Sequence, residues 1–323
     1  VKHPFFGVLS FGSSSRGNAV LFFKRLPGEK QAYGILFDAG VSGKRISHML
    51  REAENHLGIT FIVEAIVVTH LHGDHAGTLN VLVNTLRPNL VILPNLFDEP
   101  CNPELSKCEE MRGRLREAID KLIARRVEIR LLRSGESTLL PLTEALVSGI
   151  EVPHDTFCLG LSLDWGAFRL SYLVDLGSTN GSILDFVLDS EVLVMEMNYD
   201  VQLIDSDLVD YAEKLKDRIK SDRGHLSNLQ ASRFIRNVLE RSSRMRSLIL
   251  GHLGGQTNSE AHVMHAVRSA TEHRAIDIKI LPRQAGKLLQ FFGKFERSGY
   301  KIDSVEEWEI ILPEKQPRQT GTG

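Results

Sequence analysis

Before about residue 80 the chain alternates short apolar runs with glycine or proline turns, a strand pattern over residues 5–10, 19–23, 34–37 and 65–69. A helix is predicted over 43–55, and apolar positions at helical spacing between many charges predict an amphipathic helix over 104–126. Strands return at 127–132 and 146–152, then at 159–163 and 168–174 around the turn Asp164-Trp165-Gly166-Ala167. A strand at 192–197, helices at 206–220 and 227–240, a strand at 247–250, a helix at 259–271 and a strand at 276–281 complete the series. No biased linker divides it, so residues 1–313 read as one domain and the polar residues 314–323 as a disordered tail.

The two halves carry a short similarity. A strand ending in Asp38-Ala39-Gly40 leads through a helix to a strand ending in Thr69-His70. Likewise a strand ending in Asp175-Leu176-Gly177 leads through helices to one ending in Gly251-His252. Each half thus delivers an Asp and a His from strand ends, as two packed sheets with outer helices would.

Composition narrows the class without choosing a partner. The 323 residues are 42% hydrophobic, enough for a sizeable core, and the net charge of -2 supplies no global attraction for nucleic acid or membrane. Cys101, Cys108 and Cys158 form no CxxC pair, which argues against a disulfide framework and for a reducing, cytoplasmic setting. No apolar run approaches the roughly 20 residues of a membrane span, so no membrane association is expected.

The chemistry concentrates in one place. Residues 67–77, Val-Val-Thr-His-Leu-His-Gly-Asp-His-Ala-Gly, put three imidazoles and a carboxylate into six positions after a β-branched strand. A catalytic zinc takes three protein ligands and keeps one position open, and adjacent residues such as Asp74 and His75 sit awkwardly for joining His70 and His72 on one small ion. Two ions resolve the crowding, His70 and His72 holding one and Asp74 and His75 the other. Gly73 is expected to turn the backbone so that Asp74 and His75 reach back into the same cleft. His154, Asp175 and His252, all after apolar strands, are candidates to complete the sets, with Asp175 able to bridge. Imidazole-rich sets suit zinc and the carboxylates also suit manganese.

Thr69 to His75 reads Thr-His-x-His-x-Asp-His and resembles the hallmark of the metallo-β-lactamase superfamily. The resemblance covers roughly residues 5–285 and implies an α/β protein, an αββα sandwich of two mixed β-sheets with helices outside. It implies two divalent metal ions, with His70, His72 and His154 on one, Asp74, His75 and His252 on the other, and Asp175 bridging. Asp38 and Thr69 would support the metal loop from behind. Further segments, Gly12 to Asn18, Met195 to Asp200 and Arg223 to Asn228, resemble those of the YycJ/WalJ-type branch, regarded as DNA 5′-to-3′ exonucleases. They nominate Ser14, Asn18, Asn198, Ser227 and Asn228 as substrate contacts. The Gly224-His225-Leu226-Ser227 element is also similar to the Gly-His-Ser/Thr element of tRNase Z enzymes, but their Gly-Pro-rich insertion is not evident. One segment departs from the branch: His252 is followed by Leu253-Gly254-Gly255-Gln256-Thr257-Asn258 instead of Leu-Ser and paired asparagines.

The resulting expectation is a dinuclear metal-dependent phosphodiester hydrolase, a DNA exonuclease with a nucleic-acid substrate. His225 would protonate the leaving oxygen, and Asp74 or Asp175 would orient the attacking hydroxide. Basic residues between Lys214 and Arg246 outnumber acidic ones and could track a phosphate backbone. Two alternatives remain open at this point: a phosphodiesterase of small cyclic nucleotides or phosphates (a thioester or lactone hydrolase being a remoter variant), and a non-catalytic nucleic-acid-binding protein with structural metals. His3, His48, His56, His262, His265 and His273 receive no role, His262 and His265 marking an exposed helix face.

Overall fold

In the computed structural model, which describes residues 4–98, 108–283, 286–296 and 299–310, the first half runs β1 (Phe5–Gly12), β2 (Ala19–Arg25), β3 (Gln31–Phe37), α1 (Gly43–Leu57), β4 (Thr60–Val67), α2 (Gly73–Ala76), α3 (Leu79–Leu86), β5 (Leu90–Pro94), α4 (Cys108–Ile123) and β6 (Glu128–Leu132). The second half continues with β7 (Ser137–Leu140), β8 (Ala145–Val152), β9 (Cys158–Asp164), β10 (Arg169–Leu173), α5 (Gly181–Val187), β11 (Val192–Glu196), α6 (Val201–Ile204), α7 (Glu213–Lys220), α8 (Asn228–Arg241), β12 (Ser247–Gly251), α9 (Glu260–Thr271), β13 (Asp277–Ile280), β14 (Gly286–Glu296) and β15 (Gly299–Ile310).

Among the described residues, one sheet is ordered β15-β14-β1-β2-β3-β4-β5-β6 and the other β13-β12-β11-β10-β9-β8-β7. Each mixes parallel and antiparallel pairs: β3–β4–β5–β6 and β10–β11–β12–β13 run parallel, and the earlier hairpins antiparallel. The parallel strands are the near-continuous apolar ones, such as the fully buried Leu90–Pro94, Val192–Glu196 and Ser247–Gly251, because both their faces are covered.

The sheets meet through aromatic side chains. Phe6 of β1 stacks on Phe168, which leads into β10, with ring centroids 4.2 Å apart and planes 9° from parallel. Deeper in, Tyr172 of β10 meets Phe22 of β2 and Phe37 of β3 edge-on at 6.0 and 5.4 Å. Ile46 and Met49 of α1, Leu82 of α3 and Leu115 of α4 belong to the first core, while Ile183 of α5, Phe234 and Val238 of α8 and Val263 and Val267 of α9 cover the outer face of the second sheet. The layers are therefore helix, sheet, sheet, helix, as the sequence pattern implies.

Several elements differ from expectation, and α2, α3, β5 and α5 were not foreseen. The helix foreseen over 206–220 is α7 alone, from residue 213, preceded by the short α6. The Ser206 hydroxyl donates to the Leu203 carbonyl and accepts the Leu208 N–H, so a side chain takes bonds that a continuing helix would use. β14 and β15 lie beyond the last strand read from the sequence, and β14 pairs with β1 to extend the first sheet. β7 was likewise unforeseen. The proposed tail at 314–323, and residues 104–107 of the helix foreseen over 104–126, lie outside the described residues. Among the described residues no helix is long and apolar enough to cross a membrane.

Phe168, 1% exposed and packed against Phe6, Phe291 and Tyr300, ties the two sheets together. Phe168→Ala is expected to cost about 3–5 kcal/mol. Urea denaturation should show a lowered midpoint at unchanged slope, and a midpoint equal to wild type would refute this reading of the interface.

Candidate metal centre

The site forms where β3, β4, β8, β10, β11 and β12 end. Three of its residues have left-handed backbone: Asp38 after β3 at φ 63°, Asp175 after β10 at φ 55° and His252 after β12 at φ 53°. Side chains disfavour this region, and its occurrence at three strand ends around one cleft concentrates strain there. The turn lets each chain leave its strand while its side chain points inward.

Asp38 organises the metal loop. Its Oδ1 accepts the Thr69 backbone N–H at 2.9 Å and the Thr69 hydroxyl at 2.8 Å, and its Oδ2 lies 2.8 Å from His75 Nδ1. The Tyr172 hydroxyl donates to the same Oδ2 at 3.4 Å, connecting the inter-sheet core to the loop. His75 therefore carries its Nδ1 proton toward Asp38 and turns Nε2 toward Asp175, whose Oδ2 is 2.6 Å away. The chain does turn at Gly73, where the His72 carbonyl accepts the His75 and Ala76 N–H groups at the start of α2, but the turn does not demand glycine, since a Cβ there would meet nothing within 4 Å. The glycine that closeness requires is Gly40, where a Cβ would fall 1.6 Å from the Asp74 carbonyl oxygen.

The structure brings the seven proposed ligands together. The ligand atoms of His70, His72 and His154 lie within 4.8 Å of one another, as do those of Asp74, His75 and His252 and those of His70, His75 and Asp175. In the first set His70 Nε2 and His72 Nδ1 are 3.0 Å apart, and His154 donates Nδ1–H to the Gly224 carbonyl at 3.2 Å. In the second, His252 Nδ1 lies 3.1 Å from Glu196 Oε2. The Nε2 atoms of His154 and His252 are buried without a hydrogen-bond partner, while the other ring nitrogen of each is engaged by an acceptor. Imidazoles fixed by such outer partners, with converging lone pairs and carboxylates between them, fit divalent transition metals.

Electrostatics follow from burial. Burial pushes the pKa of His154 down to about 4 and, with His75 adding repulsion, holds His70 well below the usual imidazole range, so both are neutral donors. Burial acts in the same direction on His75, but Asp38 and Asp175 outweigh it and raise its pKa well above that range. Burial would raise Asp175, yet His252 and His75 hold it well below the usual carboxylate range.

Glu196, at the end of β11, is a carboxylate of the cluster that the sequence pattern does not single out. Fully buried, it accepts the backbone N–H groups of Asp175 at 3.0 Å and Leu226 at 2.7 Å and faces Nδ1 of His225 at 3.2 Å. His225 Nδ1 also lies 3.3 Å from Asp175 Oδ1. Burial disfavours a charged His225, but Glu196 and Asp175 outweigh it and push its pKa up to about 9. A second unassigned pair lies at the rim: Arg218 Nη2 binds Asp155 Oδ2 at 2.6 Å, and Asp155 Oδ1 is 3.2 Å from His72 Nε2 and 3.3 Å from His154 Nε2.

The nominated substrate contacts divide. Asn198 lines the cleft of about 310 Å³ together with Ser15, Asp74, Arg218 and His225, and its Nδ2 donates to the His252 carbonyl at 3.0 Å. Asn18 is wholly buried beneath the second set, with Nδ2 2.8 Å from His75 Nε2. Ser14 is 4% exposed and donates to the Arg283 carbonyl at 3.3 Å. Ser227 caps α8 through Gln230, and Asn228 exchanges hydrogen bonds with Asn258 at 3.0 and 2.7 Å. The structure thus occupies Ser14, Asn18, Ser227 and Asn228 in internal bonding.

Residues 18–162, which contain the whole Thr69 to His75 run, match the family model of the metallo-beta-lactamase superfamily. The chain carries a metallo-beta-lactamase domain. A curated relative, Exodeoxyribonuclease WalJ of Streptococcus pneumoniae serotype 2 (strain D39 / NCTC 7466), is 26% identical over 254 residues, covering 78% of this chain and 82% of that one. The fold is shared with the metallo-beta-lactamase fold protein YhfI of Bacillus subtilis, at TM-score 0.56 and 14% identity over 87% of this chain and 98% of that one. It is shared also with the short form of human tRNase Z, at TM-score 0.53 and 17% identity over 87% and 98%. The chain has His and Asp clusters that could hold divalent metal ions within this fold.

Asp38→Asn keeps a residue tolerant of the left-handed backbone but removes the charge behind His75 and Thr69. Metal affinity should fall by about 10- to 100-fold, measured by titration with zinc or manganese while circular dichroism confirms the fold. Undiminished affinity would show that Asp38 does not position the loop.

Proposed function

We propose that this chain is a dinuclear metal-dependent phosphodiester hydrolase, with zinc or manganese in the two ligand sets, and that it degrades DNA as a 5′-to-3′ exonuclease. The observation that carries the reading is His225: it lies outside the two ligand sets proposed here, in a further cluster with Asp175, Glu196 and His252, and Asp175 and Glu196 hold it at the edge of those sets. A thiolate leaves readily, so thioester hydrolysis gives no evident use for a proton donor at that place, whereas the alkoxide that departs from a phosphodiester needs one.

Two divalent cations held there would lower the pKa of a water molecule and neutralise charge on phosphoryl oxygens. The chain's own residues supply the rest. His225 has Nδ1 engaged by carboxylates, so Nε2 is the nitrogen left to pass a proton to the departing oxygen. Asp74, with a side chain 27% exposed at the cleft, and Asp175 are placed to accept a hydrogen bond from the attacking water and orient it. Arg218, 51% exposed while anchored on Asp155, presents a guanidinium to a phosphate at the rim. The named activity of the S. pneumoniae relative supports DNA as the substrate.

The modest cleft favours one second reading, a phosphodiesterase of small cyclic nucleotides or cyclic phosphates. The two are separated by incubating the protein and metal with 5′-labelled duplex and single-stranded DNA, RNA and cyclic mononucleotides. Stepwise removal of nucleotides from a 5′ end is expected. His225→Ala should lower turnover by about 10²- to 10⁴-fold with metal retained, and His70→Ala should lose both metal and activity. Cleavage of small cyclic diesters alone would overturn the nuclease reading.

A further inference from the structure

A groove of about 1300 Å³, larger than the metal cleft, runs between α8 and α9. The two helices lie side by side in the same direction. Asn228 at the start of α8 bonds Asn258 just before α9, and Arg236 near the end of α8 donates to the Ser269 carbonyl near the end of α9. The metal cleft adjoins the N-terminal end. His225 stands three residues before α8, and the Asp200 N–H, at the mouth of the groove, donates to the carbonyl of Thr257, which lines the cleft. The groove therefore leads away from the candidate metals along about 21 Å of helix.

Its lining is that of an anion track. Arg233 and Arg236 lie three residues apart on the exposed face of α8, hence on one side. Arg268 faces them from α9, where His262 and His265 are exposed on the same face. Among the described residues neither the Arg233 nor the Arg268 guanidinium has a hydrogen-bond or ion-pair partner. Other arginines of the region are committed to structure: Arg244 pairs with Glu191 at 2.5 Å, and Arg246 and Arg274 bind backbone carbonyls. The two acidic lining residues do not neutralise the middle. Asp200 caps α6, and Glu272, at the far end, pairs with His273. Where the groove meets the cleft, Leu229 and Val201 are 50% and 45% exposed, apolar surface for a sugar or base.

We infer that the α8–α9 groove binds the backbone of a nucleic-acid single strand whose end lies in the metal cleft, with Arg233 and Arg268 on successive phosphates. This rests on the phosphodiesterase reading above and adds to it the path of the strand. It predicts that length of substrate matters: affinity accrues outside the cleft, along a track that a small diester never reaches.

The test uses the metal-loaded full chain, with equilibrium binding of a labelled 20-nucleotide phosphorothioate strand over a range of salt concentrations and turnover of a dinucleotide. The double variant Arg233→Ala/Arg268→Ala should weaken 20-mer binding at least tenfold. Its log-affinity against log-salt slope should become shallower by about 1.4, two contacts at about 0.7 each. Dinucleotide turnover should be unchanged, and Arg233→Lys/Arg268→Lys should keep most of the wild-type slope. If wild type cleaves the unmodified 20-mer while the alanine pair binds the phosphorothioate strand with wild-type affinity and slope, the groove assignment is wrong and the nuclease reading stands. A lysine pair as impaired as the alanine pair also contradicts it. If wild type neither binds nor cleaves any strand, both readings fall together.

Discussion

Three buried carboxylates, Asp38, Asp175 and Glu196, set the terms on which this cleft exists. An ionised carboxylate only accepts hydrogen bonds, and burying one without donors costs several kcal/mol. Here the donors are backbone N–H groups and imidazoles. Asp38 takes Thr69 and His75, Glu196 takes the N–H groups of Asp175 and Leu226 and faces His225 and His252, and Asp175 lies against His75. Each imidazole so engaged has its tautomer and ring direction determined. The carboxylates thus decide which nitrogen of His75, His252 and His225 remains for chemistry.

The fold meets this demand by ending strands in unusual backbone. Left-handed residues cost about 1–3 kcal/mol each when they are not glycine, and Asp38, Asp175 and His252 all accept that conformation. Packing between the sheets holds them there. Tyr172 is wedged against Phe22 and Phe37 while its hydroxyl reaches Asp38, so the apolar core and the metal loop share one side chain. Gly40, where any Cβ would clash with the Asp74 carbonyl, lets the loop close over that arrangement. A site assembled from many strand ends is rigid because two packed sheets position it.

Much of this was legible in the residue order. His70, His72, Asp74 and His75 fall in one loop, where spacing alone signals metal, and His154, Asp175 and His252 follow apolar runs that read as strands. Glu196 escaped because a carboxylate at the end of Val192–Glu196 has no spacing to a ligand motif, although the segment holding it was noticed; only the folding of β11 between β10 and β12 brings it to His225 and His252. The same interposed strand limits the similarity of the halves, since β3 and β4 are neighbours whereas β10 and β12 are not. Asp155 and Arg218 meet across 63 positions of sequence, which no local pattern encodes. β14 and β15 were missed because their apolar positions are broken by charges, Lys287 on β14, which the fold buries, and Asp303, Glu306, Glu307 and Glu309, exposed on the edge strand β15.

The central claim is that two sets of ligands, joined by Asp175, hold two ions. Anomalous diffraction from crystals grown with zinc or manganese, recorded on both sides of the metal's absorption edge, tests it directly. The account predicts two peaks about 3.5–4 Å apart, one among His70, His72 and His154 and one among Asp74, His75 and His252. A single peak, or peaks away from these residues, would contradict it.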